Sequence, residues 1–163
     1  MDLFERLFKN EYPRVVAIAN RVLVDRQEAE DVAQEVFVDF HRLHRPDVPF
    51  AGPWLHRAAA NTALNVVRSR TRRARREASY GSLEVQQPVD PAEAVETAEQ
   101  RQLVRAALAR LPRKSSTVLA LRYGGLSYAE VASALGVNIG QIGTLLRRAE
   151  AALRREVERG TSR

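Results

Sequence analysis

Arginine is the residue type in this chain whose side chains are the strongest candidates for binding a ligand, because arginines are concentrated in one segment. Positions 51–76 hold seven arginines and no acidic residue, whereas positions 77–100 hold six acidic residues and no basic one. A guanidinium group can bind a phosphate or a guanine base through two hydrogen bonds at once. With a net charge of +6, this distribution favours a polyanionic partner, although a GC-rich genome would produce the same preference for arginine.

A second set of candidate contacts follows two helix-start signals near the C-terminus. Ser127 and Glu130 have the spacing of a capping box, and Asn138 and Gln141 repeat that spacing. Between and after these signals stand a small residue, a glycine and an apolar residue at helix-turn-helix spacing, namely Ala132, Gly136 and Ile142. The second helix of such a pair enters a major groove, and its arginines then contact phosphates. The segment therefore predicts DNA binding.

Catalytic and metal chemistry find little support in the sequence. His41 and His44 share a helix face and His56 follows, but no third ligand stands at a suitable spacing. The absence of cysteine excludes disulfides, a thiolate nucleophile and Cys-type zinc sites. We expect no catalytic residue, no metal and no cofactor, and hence not an enzyme.

The elements that position these residues are predicted to be helices throughout, with no strand and no internal repeat. Apolar residues recur at helical spacing over residues 3–24, where an interruption near Pro13 leaves one or two helices open, and over residues 26–44. Residues 45–53 form a proline-rich loop, after which a helix beginning at Trp54 runs into the arginine cluster. The fold class is therefore all-α, with two small helical domains joined by a flexible linker, the C-terminal one a helix-turn-helix. The predicted boundaries are 1–76, an acidic linker at 77–97, and 98–163.

Val38 stands out in the amphipathic helix over residues 26–44. It falls on the polar side beside Asp31, Gln34 and Glu35, where an apolar residue has no core to enter. A lone exposed valine is usually unimportant, so its meaning depends on what binds this face.

No stretch reaches the roughly 18 to 20 consecutive apolar residues that a membrane span needs. The start Met1-Asp2-Leu3-Phe4 lacks the basic and apolar regions of a secretory signal. We expect a cytoplasmic protein without membrane insertion.

Three segments together resemble the extracytoplasmic-function, or group IV, RNA polymerase sigma factors of the sigma-70 family, which direct bacterial RNA polymerase to promoters. The matching segments are residues 29–37, residues 54–61, and residues 126–132 with 135–137. They occur in the order and spacing of that family. The likeness covers roughly residues 3–76 and 98–157.

The resemblance implies three surfaces and their partners. Docking on core RNA polymerase would use Asp31, Gln34, Glu35 and Val38. Capture and melting of the minus-ten promoter element would use the proline-rich loop and Arg57, Asn61, Asn65, Arg68, Arg70, Arg72 and Arg73. Recognition of the minus-thirty-five element would use Ser127, Gln141, Thr144, Arg147 and Arg148. The implied partners are core RNA polymerase, promoter DNA and an anti-sigma factor.

Two departures from the family pattern bear on these expectations. Asn65 stands where the family commonly has an aspartate, which removes an ion pair or alters a base contact. Gln141, Gly143 and Leu145 stand where the family usually has threonine, lysine and arginine. Either the contacts shift to the neighbouring polar residues of that helix, or the C-terminal domain binds DNA weakly.

The main alternative is a stand-alone helix-turn-helix regulator that binds operators without polymerase. It accounts for residues 115–155 but gives no role to the first 76. Because the linker offers little core to bury, we also expect the two domains to tumble independently in the free chain.

Overall fold

The computed structural model describes residues 1–79 and 92–162, and the side chains of residues 1–77 and 97–162. All regular structure in this part of the chain is helical, which confirms the predicted fold class. The elements are α1 (Leu3–Leu23), α2 (Arg26–Leu43), α3 (Ala51–Ser79), α4 (Ala92–Arg110), α5 (Arg113–Tyr123), α6 (Tyr128–Leu135), a 3-10 turn (Ile139–Gln141) and α7 (Ile142–Thr161).

The first three helices pack against one another and begin at local capping signals. Asp2 and Asp25 each accept a hydrogen bond from a backbone N–H of the first turn, at α1 and α2 respectively. Pro13 lies inside α1 without dividing it, so of the one or two helices that the sequence left open the structure has one. Buried Val15 and Val16 hold α1 to the core after the proline, and partly buried Leu7 and Phe8 pack on the core before it.

The last four helices contain the predicted helix-turn-helix. Ser127 and Glu130 form the complete capping box at the start of α6, and Gly136 ends that helix with φ of 69°, a conformation that glycine adopts without strain. The second predicted box differs in detail. Asn138 accepts from the Gly140 N–H at 2.9 Å and so caps a 3-10 turn, and the α-helix starts only at Ile142.

The helices extend further than the sequence pattern indicated. The third helix begins at Ala51, inside the proline-rich segment, because Pro53 falls in its first turn, where no helical N–H is needed. Helical structure also covers residues 77–79 and 92–97 of the predicted linker. The remainder of that linker, residues 80–91, lies outside the described residues.

The two halves of the chain pack directly on each other and share a continuous hydrophobic core. Helix α3 contacts α4, α5 and α6, and α1 contacts α5. Gly124, at the end of α5, lies so close to Ile18 of α1 that a Cβ atom there would be 2.9 Å from the Ile18 Cα. The expected independent tumbling does not match this arrangement. That expectation considered only the linker, whereas the faces of α3 and α5 hold the halves together.

Candidate nucleic-acid and partner interfaces

Helix α2 presents its predicted docking residues on one exposed face. Asp31, Gln34, Glu35 and Val38 are all exposed, while Val32 and Val36 between them are buried in the core. Val38 is 56% exposed. The face therefore combines two carboxylates with an exposed apolar side chain, which suits a partner surface carrying both basic and apolar groups.

An aromatic cluster holds the end of α2 against the start of α3. The Trp54 ring lies 5.4 Å from the Phe40 ring and 5.5 Å from the His44 ring, measured between centroids. The Phe50 ring contacts His44 edge-on at 5.0 Å. Trp54 is therefore mainly a packing residue, in agreement with its helical spacing, and it fixes the position of the loop over residues 45–50.

His56 is buried and forms a pair with Glu11 that sequence reasoning did not anticipate. The His56 Nε2 lies 2.7 Å from the Glu11 carboxylate, 45 residues away in the chain. This hydrogen bond, opposed by burial and assisted by the charge of His56, lowers the pKa of Glu11. The pair joins α1 to α3, which is a structural role. Within residues 1–79 and 92–162, no group of three or more candidate ligands could hold a metal ion.

The arginines of α3 divide into two environments. Arg57, Arg72 and Arg73 are exposed. Arg70 pairs with Glu28 of α2, and that hydrogen bond raises the pKa of Arg70. Among the described residues, Arg57, Arg72 and Arg73 have no bonded partner elsewhere in the chain and could contact a phosphate backbone as they stand.

Three other predicted minus-ten residues are bonded to α5 and to the turn before it. The Thr117 hydroxyl donates to the Asn61 amide oxygen at 3.2 Å, and the Arg113 guanidinium donates to the Asn65 amide oxygen at 2.8 Å. Arg68 donates to the Ser116 hydroxyl at 3.0 Å and to the carbonyl of Leu111 at 3.3 Å. Burial, and then the charge of Arg113, lowers the pKa of Arg68. We call this set of contacts the α3–α5 seam.

The seam contains residues that the sequence pattern did not single out. Ser116 and Thr117 are buried polar residues, 0% and 3% exposed, and both face the N-terminal half of the chain. A second contact joins the halves nearby, where Arg14 of α1 pairs with Glu130 of α6. The two residues end the polar first half of α5, so their positions in the sequence gave no signal that both are buried and need partners.

Helix α7 separates a buried face from an exposed one, as a recognition helix requires. Ile142, Leu146 and Ala149 are buried, whereas the predicted contacts Gln141, Thr144, Arg147 and Arg148 are exposed together on the other side. Ser127, the fifth predicted contact, uses its hydroxyl to cap α6, accepting from the Glu130 N–H at 3.1 Å. The exposed set of four can reach a groove without rearrangement of the helix.

None of the helices in the described part of the chain is long and apolar enough to span a membrane.

Comparison with known proteins supplies the family. The model for Sigma-70 region 2 matches residues 7–73, and the model for Sigma-70, region 4 matches residues 101–153. The ECF RNA polymerase sigma factor SigK of Mycolicibacterium vanbaalenii is 31% identical over 94% of this chain and 81% of its own length. The RNA polymerase sigma-H factor of Pseudomonas aeruginosa is 30% identical over 92% of this chain and 83% of its own length.

A solved structure shows the same fold. The sigma factor RpoE from Bartonella quintana, in complex with the anti-sigma factor NepR, superposes with a TM-score of 0.51 at 21% sequence identity, covering 95% of this chain and 96% of that one. The two region matches occur in the order of the sigma-70 family, and the relatives named above match nearly the full chain. The chain therefore belongs to the extracytoplasmic-function RNA polymerase sigma factors.

Proposed function

We propose that the chain initiates transcription by docking on core RNA polymerase through the exposed face of α2. The observation that carries this assignment is the exposure of Val38 among Asp31, Gln34 and Glu35. The apolar side chain of Val38 gains no favourable free energy from contact with water. It would contribute to an interface with a partner that combines apolar groups with basic groups at the rim.

Promoter recognition is assigned to two faces. Arg57, Arg72 and Arg73 are available in the present arrangement for the backbone of the opened minus-ten strand. The amide oxygens of Asn61 and Asn65 and the Arg68 guanidinium are bonded to α5 and the turn before it, so DNA could use all of these groups only after α5 leaves α3. Binding to polymerase would provide the free energy that opens the α3–α5 seam.

The minus-thirty-five element would be bound by the exposed face of α7. Gln141 and Thr144 lie at the start of this face and are assigned to base edges, and Arg147 and Arg148 to phosphates. Gly143 provides no cation, so we expect this half to contribute less affinity than the arginine content of the chain suggests.

The proposed partners indicate in which compartment the chain acts. The chain would act in the cytoplasm, where RNA polymerase and the chromosome are, and would have no catalytic step of its own. An anti-sigma factor is proposed as a further partner, because the Bartonella quintana protein of the same fold was solved with one. The regulator alternative is not favoured, since region 2 of the sigma-70 family covers residues 7–73 and gives the N-terminal half a role.

The α2 face is tested by Glu35→Lys and Val38→Ala, assayed for co-elution with core polymerase and for promoter-directed transcription. Glu99→Lys is the matched control, because it makes the same charge change at an exposed position on α4, away from the proposed face. A like charge against a basic surface costs several kcal/mol at an interface, whereas a helix-surface change normally alters folding stability by less than about 0.5 kcal/mol. We expect Glu35→Lys to lose assembly and transcription while folding normally. If it assembles as well as Glu99→Lys, the docking assignment is wrong.

A further inference from the structure

Ile139 is an exposed apolar residue at the start of the proposed recognition helix. It begins the 3-10 turn Ile139–Gln141, which leads into α7, and it is 53% exposed. The next isoleucine, Ile142, is fully buried and anchors the turn to the hydrophobic core. Core packing therefore accounts for Ile142 but not for Ile139, whose side chain faces the surface that a partner would meet.

Local hydrogen bonds hold the backbone around Ile139 in place. The Asn138 Oδ1 accepts from the Gly140 N–H at 2.9 Å, and the Asn138 carbonyl accepts from the Gln141 N–H at 3.0 Å. The Ile139 carbonyl in turn accepts from the Ile142 N–H. A β-branched side chain on a fixed backbone has few rotamers to lose. Ile139 is therefore a preorganised apolar group, and covering it costs little side-chain entropy.

Two glycines leave the surface beside Ile139 without bulky side chains. Gly140 follows it directly, and Gly143 stands about one helical turn later. In the described part of the chain, the nearest outside neighbour of a Cβ atom at Gly140 would be the Asn138 Oδ1, at 3.4 Å, and that of a Cβ at Gly143 the Arg147 guanidinium, at 3.5 Å. Glycine allows another molecule to approach the backbone closely. The edge of a base pair could therefore reach Ile139 without a steric obstacle from either position.

The position of Ile139 indicates which chemical group would cover it. Gln141 and Thr144, assigned to base edges, are exposed just after it, and the first residues of a recognition helix contact bases in helix-turn-helix complexes. In the major groove, the C5 methyl group of thymine is the apolar feature that distinguishes one base pair from the others. A polar side chain gains little from that methyl group, whereas an exposed isoleucine can remove it from water.

We propose that Ile139 reads a thymine of the minus-thirty-five element through contact with its C5 methyl group. This inference rests on the proposed binding of that element by α7, and it adds an apolar contact with one base to the polar contacts of Gln141 and Thr144. The apolar contact also provides specificity in a helix where Gly143 supplies no cation. Burial of one methyl group increases affinity about fourfold.

The test is a selection of promoters by holoenzyme assembled from core RNA polymerase and the full chain. The pool consists of duplexes randomised over the minus-thirty-five and minus-ten elements. The parent holoenzyme should enrich thymine at a position of the minus-thirty-five element, and Ile139→Ala should lose that enrichment while keeping the preferences at the other positions. Ile139→Val keeps a branched apolar side chain and should retain the enrichment. Leu3→Ala is the matched control, because Leu3 is also 53% exposed but lies on α1.

Replacement of the selected thymine by deoxyuridine isolates the methyl group, because the two bases differ only there. The parent holoenzyme should bind the deoxyuridine promoter about fourfold more weakly than the thymine promoter, as measured by fluorescence anisotropy. Holoenzyme with Ile139→Ala should bind the two promoters equally. The comparison with the parent chain needs no variant, so it decides the question even if Ile139→Ala is unstable.

Two sets of outcomes would overturn the proposal, and they differ in what they say about α7. If Ile139→Ala selects the same bases as the parent, if Leu3→Ala loses the same enrichment, or if deoxyuridine leaves the affinity of the parent unchanged, Ile139 does not read the methyl group. The assignment of α7 to the minus-thirty-five element survives these results. If the parent holoenzyme has no base preference in that element, both assignments are wrong.

Discussion

Substituting Gly124 by alanine tests whether the two halves of the chain are packed as described. Gly124 follows α5 with φ of −78°, so it does not have the left-handed conformation that would by itself disfavour alanine. The added Cβ would lie 2.9 Å from the Cα of Ile18 and 3.0 Å from its Cγ1, and 2.7 Å from the carbonyl oxygen of Ala120. The first two atoms belong to α1, in the other half of the chain.

The magnitude follows from the identity of these neighbours. Helix backbone cannot move aside as the end of a flexible side chain can, so α1 and α5 must separate by several tenths of an ångström. Overpacking of this kind costs about 1 to 3 kcal/mol. For a chain of this size we expect Tm to fall by about 2 to 12 °C. If the halves separate to relieve the contact, the radius of gyration in solution scattering increases as well.

Gly143→Ala is the matched control for this substitution, with the opposite expected sign. A Cβ at Gly143 would meet only the guanidinium end of Arg147, at 3.5 Å. Because Gly143 is the second residue of α7, alanine should raise the free energy of unfolding through helix propensity, by less than the value of about 1 kcal/mol for a helix interior. Chemical denaturation of both variants and the parent chain measures the two effects. A Gly124→Ala curve within about 0.5 kcal/mol of the parent would refute the close approach of α5 to α1.

Three further predictions concern single contacts. Glu11→Gln should make the loss of folding stability in acid shallower. The folded-state pKa of Glu11 is lowered, so its contribution to the free energy of unfolding is present above the ordinary carboxyl pKa of 4.5 and disappears as pH falls below it. Equal pH dependence of the unfolding free energy in both proteins would contradict this. Thr117→Val removes the hydrogen-bond donor to Asn61 with little change in side-chain volume. Because one hydrogen bond contributes about 0.5 to 1.5 kcal/mol, the free chain should bind a single-stranded minus-ten oligonucleotide about threefold to tenfold more tightly, as measured by fluorescence anisotropy. Unchanged affinity would mean that the α3–α5 seam does not compete with DNA. Arg148→Ala should weaken promoter binding by the holoenzyme and reduce its dependence on salt by about one phosphate contact, whereas an unchanged salt slope would remove Arg148 from the DNA interface.

Sequence pattern was sufficient for features that depend on neighbours within a few residues. The capping box at Ser127 and Glu130 and the left-handed Gly136 involve only local backbone, so their residue types predicted their structure. The exposed face of α2 followed for the same reason, because residues three and four apart on a helix must share a side. Val38 could therefore be recognised as exposed before the fold was known.

Features that join distant segments were decided by the tertiary structure. Local periodicity describes which face of a helix is apolar but not which helix covers it, so nothing in the pattern placed Thr117 against Asn61, 56 residues away. The same limit applies to Pro13, whose helix persists because α1 packs on the core through buried residues after the proline and partly buried ones before it. The hydrogen bond from Arg105 to the carbonyl of Leu23, 82 residues away, was likewise not predictable from the sequence, because these groups meet only when the halves pack. The strength of an electrostatic interaction depends on the distance between two groups in space. Groups that are far apart along the chain come within that distance only when the two halves pack together.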